Sequence, residues 1–174
     1  MTLWFTGLSG AGKTTLARQV AADTAGRGLR AEVLDGDVIR RHLSAGLSFS
    51  REDRDTHVRR IGYVSHLLSK NGVCAIVAAI SPYRALRDEV RQVHGETPFV
   101  EIFVDCPLEV LVARDVKGLY RKAIRGEIAN FTGISDPYEA PENADIVVRT
   151  DRQSARESAA VILQWLESAG RVKR

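Results

Sequence analysis

The chain has 174 residues, of which 44% are hydrophobic and 27% charged, the balance of one soluble globular domain long enough to bury a core without disulfide staples. Net charge is +3, and arginines outnumber lysines twenty to five, which favours forked contacts to phosphate or sulfate. The basic residues are dispersed and form no dense stripe, so no nucleic-acid partner is expected. No apolar run reaches the roughly 18 residues that cross a bilayer, and Met1–Phe5 has neither a basic leader nor a cleavage site, so neither a membrane nor secretion is expected. Cys74 and Cys106 stand far apart in apolar surroundings and read as free, buried thiols of a cytoplasmic protein.

In chain order, Leu3–Thr6 is an apolar run ending in glycine and reads as a buried strand. Lys13 to about Thr24 has helical spacing, with Leu16, Ala17, Val20 and Ala21 on one face and Gly26 and Gly28 beyond its end. Ala31–Leu34 reads as a second strand and Val38–Leu43 as a short helix. Ser50-Arg51-Glu52-Asp53 resembles a capping box, followed by a helix with Val58, Ile61, Val64 and Leu68 on one face that stops at Asn71-Gly72. Val73–Ile80 is almost wholly apolar, as a central parallel strand covered on both faces must be. A charged helix over Arg84–His94, a strand over Phe99–Val104 and a helix opening at Pro107 follow. Asp145–Val148 reads as the last strand. Thr150–Gln153 is expected to cap a final helix whose inner face carries Ala155, Ala159, Ile162, Leu163 and Leu166, and Arg171–Arg174 reads as a frayed tail. Strands alternating with helices predict an α/β fold, a parallel five-stranded sheet flanked by helices. The stretch from about 116 to 139 breaks this grammar. It is polar, glycine-punctuated and basic (Lys117, Arg121, Lys122, Arg125), and is expected to be irregular and to act as a mobile lid.

Four clusters carry chemistry. Gly7-Leu8-Ser9-Gly10-Ala11-Gly12-Lys13-Thr14 fits G-x-x-x-x-G-K-[ST] between a strand and a helix. Glycines let the backbone wrap a phosphate with its N–H groups, and the helix start adds a positive dipole end. Lys13 is placed to reach the β- and γ-phosphates of ATP, and Thr14 to give a hydroxyl to Mg²⁺. Asp35-Gly36-Asp37 follows the second strand, on the rim where ligands of parallel sheets sit. One of these carboxylates suits Mg²⁺ and the other suits a proton from an acceptor hydroxyl. Ile80-Ser81-Pro82-Tyr83-Arg84 puts a hydroxyl and a guanidinium on the same rim. Ser81 reads as a ligand in a direct in-line transfer, or as a helix cap, or as a phosphorylated nucleophile. Asp115–Lys122, running on to Asn130–Ile134, places cations where a lid closes over phosphates.

With these residues in order, the chain resembles the adenylylsulfate kinase family. The phosphate loop, Asp35–Arg40, Leu47–Ser50 with Asp53-Arg54, Ile80–Arg84, Lys117–Tyr120, Phe131–Ile134 and Pro137–Pro141 correspond in register to that family's motifs over nearly the whole chain. The resemblance implies one P-loop kinase domain over 1–174 that transfers the γ-phosphate of ATP to the 3′-hydroxyl of adenylylsulfate. It implies Asp37 as base, Lys117 as lid lysine, Arg40 and Arg54 on the phosphosulfate, and Phe49 with Phe131 around the adenine. It further implies His57, Ile80 and Ser81 at the substrate, Thr14 and Asp35 at Mg²⁺, and Arg114 near the ATP adenine. A homodimer, and a separate ATP sulfurylase as the source of substrate, belong to the same expectation. Ser48 stands where the family often has glycine, His57 where asparagine is common, and Val116 where proline is common. The competing readings are another P-loop small-molecule or nucleotide kinase and a nucleotide-binding switch without transfer chemistry. An N-K-x-D guanine reader is absent from the sequence, which disfavours a GTPase switch, and two aromatics with an arginine set favour the adenylylsulfate kinase reading over another small-molecule kinase.

Overall fold

The computed structural model describes residues 1–172, so Lys173 and Arg174 of the expected frayed tail lie outside the described residues. Arg171, the first of that tail, is tied back by its amide to the Leu166 carbonyl (2.8 Å). Five strands, β1 (Thr2–Thr6), β2 (Ala31–Asp35), β3 (Cys74–Ala78), β4 (Phe99–Asp105) and β5 (Ile146–Arg149), pair in parallel in the order β2-β3-β1-β4-β5. The helices are α1 (Lys13–Ala25), α2 (Gly36–Leu43), α3 (Arg51–Lys70), α4 (Arg84–His94), α5 (Leu108–Arg114), α6 (Leu119–Ile124) and α7 (Ala155–Ser168).

Alternation along the central strands sorts side chains into two cores. Leu3 and Phe5 of β1, with Cys74, Ile76 and Ala78 of β3, face α1 and α7 through Leu16, Val20, Ile162 and Leu166. Trp4, Ala75 and Val77 point the other way, onto Val58 and Ile61 of α3 and Leu86 and Val90 of α4. Each large side chain so enclosed contributes about 1.5–3 kcal/mol, which is why β1 and β3 have no polar face to spare. Helices α3 and α4 approach closely because residue 62 is glycine: a Cβ there would lie 2.9 Å from both Val90 methyl groups.

The expected elements are present, with corrections at their ends. Strand β3 stops at Ala78, because Ile80 turns its carbonyl to Thr6 Oγ1 (2.8 Å) where the rim begins. Helix α3 receives half a capping box: Ser50 Oγ accepts from Asp53 N, but the Asp53 carboxylate accepts instead from Ser48 N and Oγ (2.7 and 2.5 Å). Pro107 is the N-cap of α5, one residue outside the helix. Helix α7 starts at Ala155, capped by Ser154 with a full Ser154–Glu157 box. The Gln153 side chain accepts from Arg149 N instead of capping, and Ala155 is exposed. The 116–139 stretch contains a helix, α6, since the Asp115 carboxylate accepts from Tyr120 N and Arg121 N and closes its first turn.

After β1 the chain builds β2 and β3 on one side, then crosses to β4 on the other. The carboxyl end of β1 therefore sits where the order reverses, the position at which open α/β sheets bind ligands.

Candidate active site

The phosphate loop leaves β1 at that reversal point. A Cβ on residue 7 would meet the Val104 carbonyl oxygen at 2.5 Å with φ at +149°, so only glycine lets the loop pass between β1 and β4. Lys13, 9% exposed, donates to the carbonyls of Gly7 (2.9 Å) and Leu8 (2.8 Å). Burial, followed by the nearby Lys117, pushes its pKa down to about 7. Tyr120 of α6 donates to the Ser9 carbonyl (2.8 Å), tying the loop to the 116–139 stretch. Arg114 lies with Ser9, Gly10, Lys117 and Tyr120 around a small recess beside the loop, and donates to the Thr150 carbonyl (3.1 Å).

Thr14 donates its hydroxyl to Asp35 Oδ2 (2.6 Å), while Asp35 Oδ1 accepts from the amides of Asp37 (3.0 Å) and Val38 (3.2 Å) as the N-cap of α2. Burial raises the Asp35 pKa, but the Thr14 hydrogen bond and the two amides outweigh it, and the carboxyl is held below its ordinary value. An ionised oxygen beside a hydroxyl is a donor pair that fits Mg²⁺ shared with phosphates. Asp37 projects from the first turn of α2 and pairs with Lys117 Nζ at 2.9 Å.

On the other flank, Phe49 is 56% exposed. The Arg40 guanidinium lies over its ring at 4.7 Å and that of Arg54 at 5.9 Å. Arg40 also donates to the Ser48 carbonyl (3.1 Å). Arg54 donates to the carbonyls of Phe49 (2.9 Å) and Asn130 and to Thr132 Oγ1, so α3 and the segment from Asn130 onwards are joined through one guanidinium. Phe131 is half-buried, edge-on to Tyr120 at 5.2 Å. An open cleft of about 550 Å³ runs between Leu8, Leu108 and residues 133–138.

Three expected substrate ligands are enclosed, Arg54 (7% exposed), Ser81 and His57. Ser81 is 2% exposed and its Oγ accepts from the Trp4 indole (3.0 Å), with φ at +40°. His57 is 6% exposed, with Nδ1 2.9 Å from Ser44 Oγ. Ile80 presents its carbonyl to Thr6. Sequence reasoning assigned no role to Tyr83 and Asp136, joined at 2.8 Å, with Asp136 also 3.8 Å from Arg54, or to Tyr138, whose hydroxyl meets Thr6 Oγ1 at 3.0 Å. The available signal was that Tyr83 and Tyr138 lie within the 80–84 and 137–141 motifs and Asp136 directly before the second.

Burial, then the charge of Arg40, pushes the His57 pKa down to about 4, and burial lowers that of His94 as well. An unfolded histidine takes its proton near pH 6.5, so between about 4 and 6.5 the unfolded chain binds more protons and stability falls as pH drops. His57→Asn is expected to flatten that fall in denaturation midpoints measured from pH 7 to 4.5. An unchanged slope would mean that His57 titrates normally.

Sheet order, the loop at its reversal point and the facing carboxylates make this a P-loop phosphotransferase. The sequence profile of the adenylylsulphate kinase family matches residues 1–149. A Picosynechococcus adenylyl-sulfate kinase is 55% identical over 98% of this chain and 95% of its own. A probable bifunctional SAT/APS kinase of Sorangium cellulosum is 57% identical over 99% of this chain, which spans 29% of that relative. The Mycobacterium tuberculosis APS kinase, in a structure with AMPPNP and APS, superposes with a TM-score of 0.91 at 43% identity, covering 95% of this chain and 96% of that one. The chain belongs to the adenylylsulphate kinase family.

Proposed function

We propose that this chain transfers the γ-phosphate of ATP to the 3′-hydroxyl of adenylylsulfate, giving ADP and 3′-phosphoadenylylsulfate. The observation that carries the reading is the Asp37–Lys117 pair (2.9 Å), which joins the carboxylate after β2 to the stretch that packs on the phosphate loop. Family membership supplies the acceptor. Asp37 accepts the proton of the 3′-hydroxyl as that oxygen bonds to the γ-phosphorus and the bond to the β–γ bridging oxygen breaks. Lys13 and Lys117 offset the charge that gathers on the departing ADP. Thr14 and Asp35 hold Mg²⁺, which when bound shields the β- and γ-phosphates. Transfer is direct, with Ser81 shaping the rim through its enclosed hydroxyl. Arg40 and Arg54 face the phosphosulfate, and Phe49 and Phe131 take the adenine between them. The stretch 116–139 is the lid of a domain spanning 1–174, which acts as a homodimer on substrate from an ATP sulfurylase in the cytoplasm. No helix among the described residues is long and apolar enough to cross a membrane.

The deciding experiment is ADP release from Mg²⁺-ATP with and without adenylylsulfate. Strong dependence on adenylylsulfate, with 3′-phosphoadenylylsulfate as product, is the expected result, and independence from it in a protein that still binds ATP would refute the assignment. Phe49→Ala is expected to weaken adenylylsulfate binding by about 1–3 kcal/mol and to leave ATP binding near its original value. Calorimetric titration of each ligand checks this, since equal losses would remove Phe49 from the adenine site.

A further inference from the structure

We propose that Arg87 is a positioning residue for the acceptor half of the site, an inference that rests on the function proposed above. Arg87 sits on α4, 2% exposed, and touches no reacting group. Its Nε donates to the Glu101 carboxylate on β4 (2.7 Å), Nη1 to the Ser81 carbonyl (2.8 Å) and Nη2 to the Glu139 carbonyl (2.7 Å). The carboxylate fixes the plane of the fork, and the fork's two remaining arms hold two different rim segments. One is Ser81, at φ +40°, a backbone conformation that persists in a non-glycine residue only when its surroundings enforce it. The other is the end of the segment that carries Phe131, and Thr132 and Asp136 beside Arg54. Glu139 N donates in turn to the Pro82 carbonyl (2.9 Å), so the two segments close on each other beside the guanidinium. None of these contacts reaches the phosphate loop. Arg87 therefore sets the acceptor side and leaves the ATP side to Gly7–Thr14.

Arg87→Lys tests this, because an ammonium keeps the charge beside Glu101 but lacks the planar fork that reaches both carbonyls. The KM for adenylylsulfate is expected to rise roughly tenfold or more, with the Kd for Mg²⁺-ATP unchanged. Amide exchange at Glu139 is expected to quicken while that of α1 stays as it was. If the lysine variant does not fold, Arg87→Met with Glu101→Met removes both buried charges together, and the same split is expected. Equal effects on the two substrates, or a loss of activity that only follows a lowered Tm, would overturn the proposal, as would unchanged exchange at Glu139. Failure of the unmodified protein to use adenylylsulfate would instead sink the assigned reaction, and the exchange measurement would still decide the anchor.

Discussion

Asp37→Asn is expected to lower turnover by about 10²–10⁴-fold while the affinity for ATP stays close to that of the unmodified protein. The amide keeps the shape of the side chain and loses the basic oxygen, so substrate still binds and the 3′-hydroxyl keeps its proton. The change also breaks the pair with Lys117, whose two side chains are 55% and 74% exposed. Pairs so open to water contribute little to stability, so thermal midpoints should hardly move. Single-turnover rates and an ATP titration separate the two effects. Turnover unchanged by the substitution would remove Asp37 as the base.

Lys13→Met should cost about 10²–10³-fold in turnover, the loss that follows removal of one preorganised charge donor from a transition state. It also has a signature in the free protein. With a folded pKa of about 7 against an ordinary 10.5, Lys13 sheds its proton in the native state before it does in the unfolded chain. Above pH 7 the unfolded state therefore holds more protons, and stability rises with pH on account of this residue. The difference in unfolding free energy between the original protein and Lys13→Met should grow in favour of the original from pH 7 to 9. A flat difference would place Lys13 in water, off the Gly7 and Leu8 carbonyls.

The sheet and the phosphate loop were legible in the sequence because both rest on local rules. An apolar run such as Val73–Ile80 has one comfortable home, and Gly7–Thr14 carries its glycines, lysine and threonine at the spacing a phosphate loop requires. Less was legible where a neighbour distant in sequence decides. Helix α6 depends on the Asp115 side chain closing a turn inside a stretch whose composition reads as loop. The enclosure of Ser81 and His57 was equally hidden, since it is Trp4 from β1 and Ser44 from the end of α2 that meet their polar atoms. The capping of α7 moved from Thr150–Gln153 to Ser154 because β5 runs on to Arg149, whose amide takes up the Gln153 side chain. Arg87 was invisible to pattern reading, since an arginine in a charged helix is usually solvated and nothing local marks it as enclosed.

The central place of β1 has a bearing on how the chain comes to be folded. Residues 2–5 pair with residues 75–78 on one side and residues 2–6 with 99–103 on the other, so β1 is completed only by strands that lie far along the chain from it. Such long-range parallel pairing is slow, because loop closure must precede any gain from the contacts. The phosphate loop, held between Thr6 and Val104, is thus fastened only once β3 and β4 have joined β1. In refolding, recovery of nucleotide binding should coincide with the burial of Trp4 and should not precede it. Until then β1, with Leu3, Trp4 and Phe5, is an unpaired apolar strand, the kind of segment on which aggregation begins.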